Sequence, residues 1–115
     1  MYNNLITIYG KAGSGKSTIA KLFLKEHFVR YLDFEKDFFE LDYIIKCIEK
    51  NNIVIIDYIE LAGLTIEDIL KIKNTIKDTD KKVVIVSCCS VFKELFNEKY
   101  NKLKEISDIV LLIDK

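Results

Sequence analysis

The chain has 115 residues, half of them apolar, and its 18 basic and 18 acidic side chains give a formal net charge of zero. This length predicts one domain with one packed core, and the charge balance gives no overall basicity that would indicate nucleic-acid binding. Three cysteines without metal-ligand spacing and a single histidine argue against a zinc site and against a disulfide framework. No signal-peptide pattern and no run of about 18 apolar residues occurs, so we expect a cytoplasmic protein without membrane association.

The first part of the chain predicts a strand, a glycine-rich loop and a helix. Residues 5–9 predict a buried strand, and the apolar pattern of residues 17–28 predicts the helix. Between them lies Gly10-Lys11-Ala12-Gly13-Ser14-Gly15-Lys16-Ser17-Thr18, which fits the phosphate-binding pattern G-x-x-x-x-G-K-S/T. Glycines allow successive backbone N–H groups to point into one concave nest, Lys16 adds a positive charge, and the Ser17 hydroxyl suits Mg²⁺. The loop therefore predicts the binding of a nucleoside triphosphate.

A second strand, a helix and a third strand follow. Residues 29–35 predict the strand, and residues 37–50 predict the helix, which Asn51-Asn52 ends. The apolar face of this helix is expected to consist of Leu41, Ile44, Ile45 and Ile48. Residues 53–57 combine four consecutive β-formers with a terminal carboxylate, a run that suits a strand buried on both faces of a parallel sheet.

The remainder of the chain predicts two more pairs of helix and strand. Thr65 precedes acidic residues and predicts the N-cap of a helix. The expected inner side of that helix consists of Ile66, Ile69, Leu70 and Ile76. Residues 83–88 and 109–113 predict the fourth and fifth strands, and Ser90 is expected to cap a helix between them. Five apolar strands joined by helical crossovers predict a three-layer α/β/α sandwich with a five-stranded parallel sheet.

Ligands of such a sheet bind at the carboxyl ends of its strands, where several acidic residues are expected. Asp57 ends the third strand, so we expect it to hold Mg²⁺ through water while Ser17 binds the ion directly; capping of a turn is the alternative. Glu35 and Glu60 compete as the group that polarises a water molecule. Glu35 ends the neighbouring strand and is predicted to be catalytic together with Lys16, although a solvated loop charge is its alternative role.

Several segments together resemble the P-loop NTPases of the RecA-like type. Residues 10–18 resemble a Walker A motif, and residues 53–57 resemble a Walker B strand. The segment Ile56-Asp57-Tyr58-Ile59-Glu60-Leu61 is similar to the corresponding segment of the DnaB-type replicative helicases, and so are the fourth and fifth strands. The chain thus resembles a minimal ATPase core of that group.

This resemblance implies hydrolysis of ATP with Mg²⁺, and it places the catalytic glutamate at Glu35. It also implies a homo-oligomer, with Lys115 near a subunit boundary, and it makes DNA a candidate partner. Ser87 would then sense the γ-phosphate from the end of the fourth strand. The chain departs from the family at Cys88, where members usually have glutamine.

Two other functions fit the same phosphate loop. A nucleoside or nucleotide kinase would use it equally well, but such kinases employ several lid arginines, and Arg30 is the only arginine here. The second alternative is a nucleotide-dependent binding module, in which ATP binding orders a surface and slow hydrolysis resets it.

Overall fold

Five parallel strands form the centre of the computed structural model, which describes residues 4–10, 28–88 and 101–113. The strands are β1 (Leu5–Gly10), β2 (Val29–Asp33), β3 (Ile53–Asp57), β4 (Lys82–Cys88) and β5 (Ile109–Ile113). The described residues also contain helix α1 (Leu41–Lys50), a 3₁₀ turn (Ile59–Leu61) and helix α2 (Ile66–Ile76), and residues 101–106 are helical. The predicted α/β class with a five-stranded parallel sheet is confirmed.

The strand order is β2-β3-β4-β1-β5, and every pairing is parallel. The carboxyl ends of the strands therefore share one edge of the sheet. At this edge Asp33 lies opposite Asp57, and Gly10 lies between Cys88 and Ile113. Strand β4 separates β1 from β3, so the start of the phosphate loop and Asp57 are two strands apart.

Alternating side chains divide the strand residues between two apolar clusters, one on each face of the sheet. The first cluster combines strand residues such as Val54, Ile56 and Ile85 with buried residues of both helices and with Leu103. The helix residues buried there are Ile44, Cys47, Ile48, Ile69, Ile72 and Ile76. The second cluster consists of Ile6, Ile8, Ile53, Ile55, Val84 and Val86. Burial on both faces explains the continuous apolar runs in the central strands.

Three predicted boundaries were wrong. Strand β2 ends at Asp33 rather than at residue 35, because the N–H groups of Lys36 and Asp37 both turn back to the Asp33 carbonyl oxygen. Helix α1 begins at Leu41 rather than at residue 37, since residues 37–40 are not helical. Phe28 does not continue a helix, because it is 70% exposed and has a positive φ of 59°. The rest of that helix prediction, residues 17–27, lies outside the described residues.

The prediction that Thr65 caps helix α2 is confirmed, whereas the prediction that Leu70 lies on the buried side of this helix was wrong. The Thr65 hydroxyl accepts a hydrogen bond from the Asp68 N–H at 3.1 Å, and the Asp68 carboxylate accepts one from the Thr65 N–H at 3.0 Å. Leu70 is 38% exposed, and Ile72 is buried in its place. The buried stripe follows the spacing of 69, 72 and 76, from which position 70 is turned away by about 100°.

Polar side chains fix the amino-terminal edge of the sheet. The Asp108 carboxylate accepts hydrogen bonds from the N–H groups of Asn4 and Leu5 at 3.1 and 3.0 Å. The Lys81 ammonium donates to three carbonyl oxygens at the end of α1, at 2.9, 3.1 and 3.0 Å. These carbonyls have no partner within the helix, so Lys81 acts as a C-terminal cap supplied from a distant part of the chain.

Candidate functional site

The site is assembled at the carboxyl edge of the sheet from the ends of β1, β2 and β3. Gly10, the first residue of the predicted phosphate-binding pattern, is the last residue of β1. Residues 11–18, which include Lys16 and Ser17, lie outside the described residues, as does Lys115. The described part of the site therefore consists of Asp57 and its neighbours.

Asp57 is a buried and oriented carboxylate. Only 2% of the residue is exposed. Its Oδ1 accepts a hydrogen bond from the Tyr58 N–H at 2.9 Å, and its Oδ2 accepts one from the Tyr31 hydroxyl. Carboxylate oxygens are ligands that suit a hydrated Mg²⁺ ion, so the chemistry of Asp57 is compatible with holding Mg²⁺ through a water molecule. Within the described ranges, no group of three or more His, Cys, Asp or Glu side chains is arranged to hold a metal ion.

Tyr58 ends strand β3 in a left-handed conformation, with φ 58° and ψ 52°. A side chain other than glycine is strained there by roughly 1–2 kcal/mol. The conformation starts the 3₁₀ turn, in which the Leu61 N–H donates to the Tyr58 carbonyl oxygen at 2.9 Å. The Tyr58 ring packs against the first apolar cluster.

The surroundings of Tyr58 keep its hydroxyl protonated. Burial raises the pKa of Tyr58 above its ordinary value of 10.0, and the carboxylates of Glu35, Asp57 and Asp33 raise the pKa further because they disfavour a phenolate. The hydroxyl is therefore a hydrogen-bond donor at neutral pH.

Glu35 lies in the exposed turn that follows β2, and backbone contacts tie this turn to β3. The Phe34 N–H donates to the Asp57 carbonyl oxygen at 3.2 Å, which extends the pairing of β2 with β3 by one residue. The Glu35 N–H donates to the Asp33 carboxylate at 2.9 Å. Glu60, the competing acid, lies within the 3₁₀ turn. The structure thus ties the turn that carries Glu35 to the carboxyl end of β3.

Two tyrosines of the site were missed by sequence reasoning. Tyr58 stands directly after Asp57, and this adjacency was the available signal. Tyr31 gave no comparable signal, because its contact with Asp57 depends on the register between β2 and β3. Ser87 is 1% exposed, and the alternation along β4 places it on the face of the first cluster, opposite to the face that carries Asp57.

Comparison with known proteins identifies solved structures that have a similar fold. No family model matches the sequence, and no curated protein matches it. The solved structure of a DnaC helicase loader superposes with a TM-score of 0.57 at 16% identity, over 97% of this chain and 78% of that chain. The Aeropyrum pernix ORC2 protein, solved in ADPNP and ADP complexes, gives a TM-score of 0.59 at 14% identity. The fold of this chain, with its five parallel strands, is therefore similar to the folds of these two proteins.

The second comparison covers 97% of this chain but only 42% of the ORC2 chain, so this chain spans less than half of that protein. At identities of 16% and 14%, these similarities show the fold alone. The specific resemblance to DnaB-type helicases stays a prediction. None of the helices in the described part of the chain has the length and apolarity that crossing a membrane requires.

Proposed function

We propose that this protein binds ATP together with Mg²⁺ and hydrolyses the ATP. The observation that carries the proposal is the buried, doubly hydrogen-bonded Asp57 at the carboxyl end of β3. It shares a sheet edge with Gly10, where a sequence with complete Walker A spacing begins. The P-loop ATPase fold supports the same function, because ligands of parallel sheets bind at this edge.

In this proposal residues 10–18 form the phosphate cradle, and Lys16 supplies its positive charge. Ser17 would bind Mg²⁺ directly, and Asp57 would hold it through water. The ion, when bound, neutralises charge on the β- and γ-phosphates. Glu35 would accept a proton from the water whose oxygen attacks the γ-phosphorus, while the bond to the ADP oxygen breaks. The hydrogen bond from the Phe34 N–H to the Asp57 carbonyl oxygen, at 3.2 Å, holds the turn that carries Glu35 at the end of β3 and supports Glu35 in this role.

A homo-oligomer and DNA complete the proposal as partners. Arg30, the only arginine, lies within β2, and its guanidinium donates to the Tyr43 hydroxyl at 2.9 Å. A cation from a neighbouring subunit would therefore supply the additional charge that phosphoryl transfer requires, with Lys115 as the candidate. The DNA proposal rests on the resemblance of the sequence to replicative helicases and on the similarity of the fold to a helicase loader.

Release of phosphate from ATP with Mg²⁺, measured over a range of protein concentrations with and without single-stranded DNA, tests this function. We expect Lys16→Ala to abolish ATP binding, and Glu35→Gln to retain binding but stop hydrolysis. The matched controls Lys46→Ala and Glu49→Gln alter side chains on helix α1, so they should retain both properties.

The outcomes of these measurements distinguish ATP hydrolysis from the kinase and from the binding module. Activity per chain that rises with protein concentration would support a homo-oligomer, and activity that rises with DNA would support DNA as a partner. Several turnovers per second by a strictly monomeric preparation would exclude an active site that a neighbouring subunit completes. Equal ATP affinity of wild type and Lys16→Ala would overturn the phosphate-loop assignment. Phosphate transfer only in the presence of a hydroxyl acceptor would indicate a kinase, and binding with slow release that Glu35→Gln leaves unchanged would indicate a binding module.

A further inference from the structure

A surface that is both aromatic and acidic covers the segment between β2 and the first turn of α1. Its residues, termed here the acidic aromatic patch, are Asp37, Phe38, Phe39, Glu40, Asp42 and Tyr43. We propose that this patch docks a segment of a partner protein that combines basic and apolar side chains. The proposal goes beyond the binding and hydrolysis of ATP and does not depend on either.

Phe38 provides apolar area that the described part of the fold leaves uncovered, since it is 71% exposed. Its ring lies edge-to-face against the buried Phe34, at a centroid distance of 6.4 Å. Phe34 also contacts Phe39 at 5.3 Å, and Phe39 stacks on Tyr43 at 5.5 Å; Tyr43 is 42% exposed. A contiguous group of aromatic rings that is anchored in the core and open at its surface is typical of an interaction site.

The charges around these rings are mainly negative. Residues 30–43 contain five acidic and two basic side chains, so the formal charge of this segment is −3. Asp37, Glu40 and Asp42 are exposed and form no salt bridge within the described part of the chain. Glu40 is the N-cap of α1, but its side chain makes no capping hydrogen bond, so capping does not account for its carboxylate. These carboxylates are therefore available to a partner.

The partner with complementary chemistry is a basic and apolar polypeptide segment. An arginine or lysine side chain can lie over an exposed ring and pair with a neighbouring carboxylate at the same time. An adjacent apolar side chain would cover the rest of the Phe38 ring. The bases of a single-stranded nucleic acid would also stack on exposed rings, but the carboxylates would repel its phosphates. The negative charge thus favours a basic polypeptide.

Fluorescence anisotropy with a labelled peptide of alternating arginine and leucine residues tests the proposal. We expect saturable binding to the wild type that weakens as the salt concentration rises. Phe38→Ser should raise the Kd about 10-fold, because exposed aromatic anchors contribute most to such interfaces. Phe28→Ser is the matched control, since Phe28 is 70% exposed and lies at the opposite end of β2. That control should keep the Kd within about twofold of the wild type.

A second test removes three negative charges from the acidic aromatic patch. The substitutions in this triple variant are Asp37→Asn, Glu40→Gln and Asp42→Asn. We expect the Kd at low salt to rise about 10-fold and to depend less on salt. The control removes three negative charges at exposed positions elsewhere, with the substitutions Glu49→Gln, Glu67→Gln and Asp80→Asn. It should raise the Kd by less than about threefold, because charges at a distance are screened.

Absence of peptide binding by the wild type would overturn the proposal. Equal loss of binding in Phe38→Ser and Phe28→Ser, or in the two triple variants, would also overturn it, because binding would then not depend on the patch. Tighter binding of labelled oligo(dT) than of the peptide, lost in Phe38→Ser, would identify a nucleic-acid surface instead. An oligomer in sedimentation equilibrium that Phe38→Ser dissociates would identify a second copy of this chain as the occupant.

The peptide measurements are made without nucleotide, so they are independent of the proposed function. Absence of phosphate release from ATP would overturn hydrolysis and leave the docking proposal standing. Conversely, normal ATP hydrolysis without peptide binding would overturn the docking proposal alone.

Discussion

Replacement of Asp57 by Asn and by Ala should have different effects on stability. In Asp57→Ala the Tyr58 N–H and the Tyr31 hydroxyl both lose their acceptor. A buried donor without an acceptor costs roughly 1–3 kcal/mol; because both of these hydrogen bonds are only partly buried, we expect the free energy of unfolding to fall by about 2 kcal/mol. Asp57→Asn retains the shape and one oxygen. The hydrogen bonds become weaker because their acceptor is no longer charged, but the substitution also removes a buried charge. We therefore expect the free energy of unfolding to fall by only about 1 kcal/mol.

The same Asp57→Asn variant should weaken the dependence of ATP binding on Mg²⁺. Without Mg²⁺ the affinity for ATP should equal or exceed that of the wild type, because a negative charge near the phosphates is gone. With Mg²⁺ the affinity should fall below that of the wild type, because the neutral amide holds the hydrated ion less well. Titration of a fluorescent ATP analogue with and without a chelator measures both affinities, and urea unfolding measures stability.

Asp42→Asn is the matched control, because Asp42 is an exposed acid in the first turn of α1. It should change neither stability beyond about 0.5 kcal/mol nor the effect of Mg²⁺. Equal destabilisation by Asp57→Asn and Asp57→Ala would refute the hydrogen-bond reasoning. An unchanged effect of Mg²⁺ in Asp57→Asn would refute the role of Asp57 at the metal.

Three further predictions concern other contacts. Lys81→Met keeps the length of the side chain but removes the cap of α1, so the free energy of unfolding in urea should fall by about 1–2 kcal/mol, whereas the exposed Lys77→Met should have little effect. Thr65→Ala should cost about 1 kcal/mol, and Thr65→Ser should retain most of the capping box; equal losses would contradict the capping role. Because the pKa of Tyr58 is raised, the ultraviolet titration of the wild type should contain a component above pH 10.0 that is lost in Tyr58→Phe. Its stabilising contribution should be complete below pH 10.0 and should be lost as pH rises through the pKa of the folded state.

Local sequence was sufficient where one short segment decides its own structure. Strands β3 and β5 have the predicted bounds, because a run of β-formers between turn residues leaves little alternative. Thr65 caps α2 as predicted, because the capping box involves residues only three positions apart. The position of Asp57 at the carboxyl end of β3 also followed from local sequence, since a carboxylate comes directly after four apolar β-formers.

Local sequence was not sufficient where a boundary depends on packing. The apolar residues Phe34, Phe38 and Phe39 were compatible with a longer strand or an earlier helix. In the structure Phe34 is 6% exposed and makes edge-to-face contacts with both other rings, at centroid distances of 6.4 and 5.3 Å. The turn between β2 and α1 therefore coincides with the packing of these rings and not with the strand or helix propensity of the segment.

The sequence by itself determined the alternation of strands and helices in residues 29–88 and the phosphate-binding pattern that begins at Gly10. The alternation follows from periodicities of 2 and 3.6 residues, which are local properties of the backbone. Only the tertiary structure decided the strand order, the pairing of Asp33 with Asp57 and the contacts of Tyr31, Tyr58 and Lys81. A periodicity specifies which face a residue occupies but not which strand lies beside it, so contacts between distant residues depend on how the whole sheet assembles.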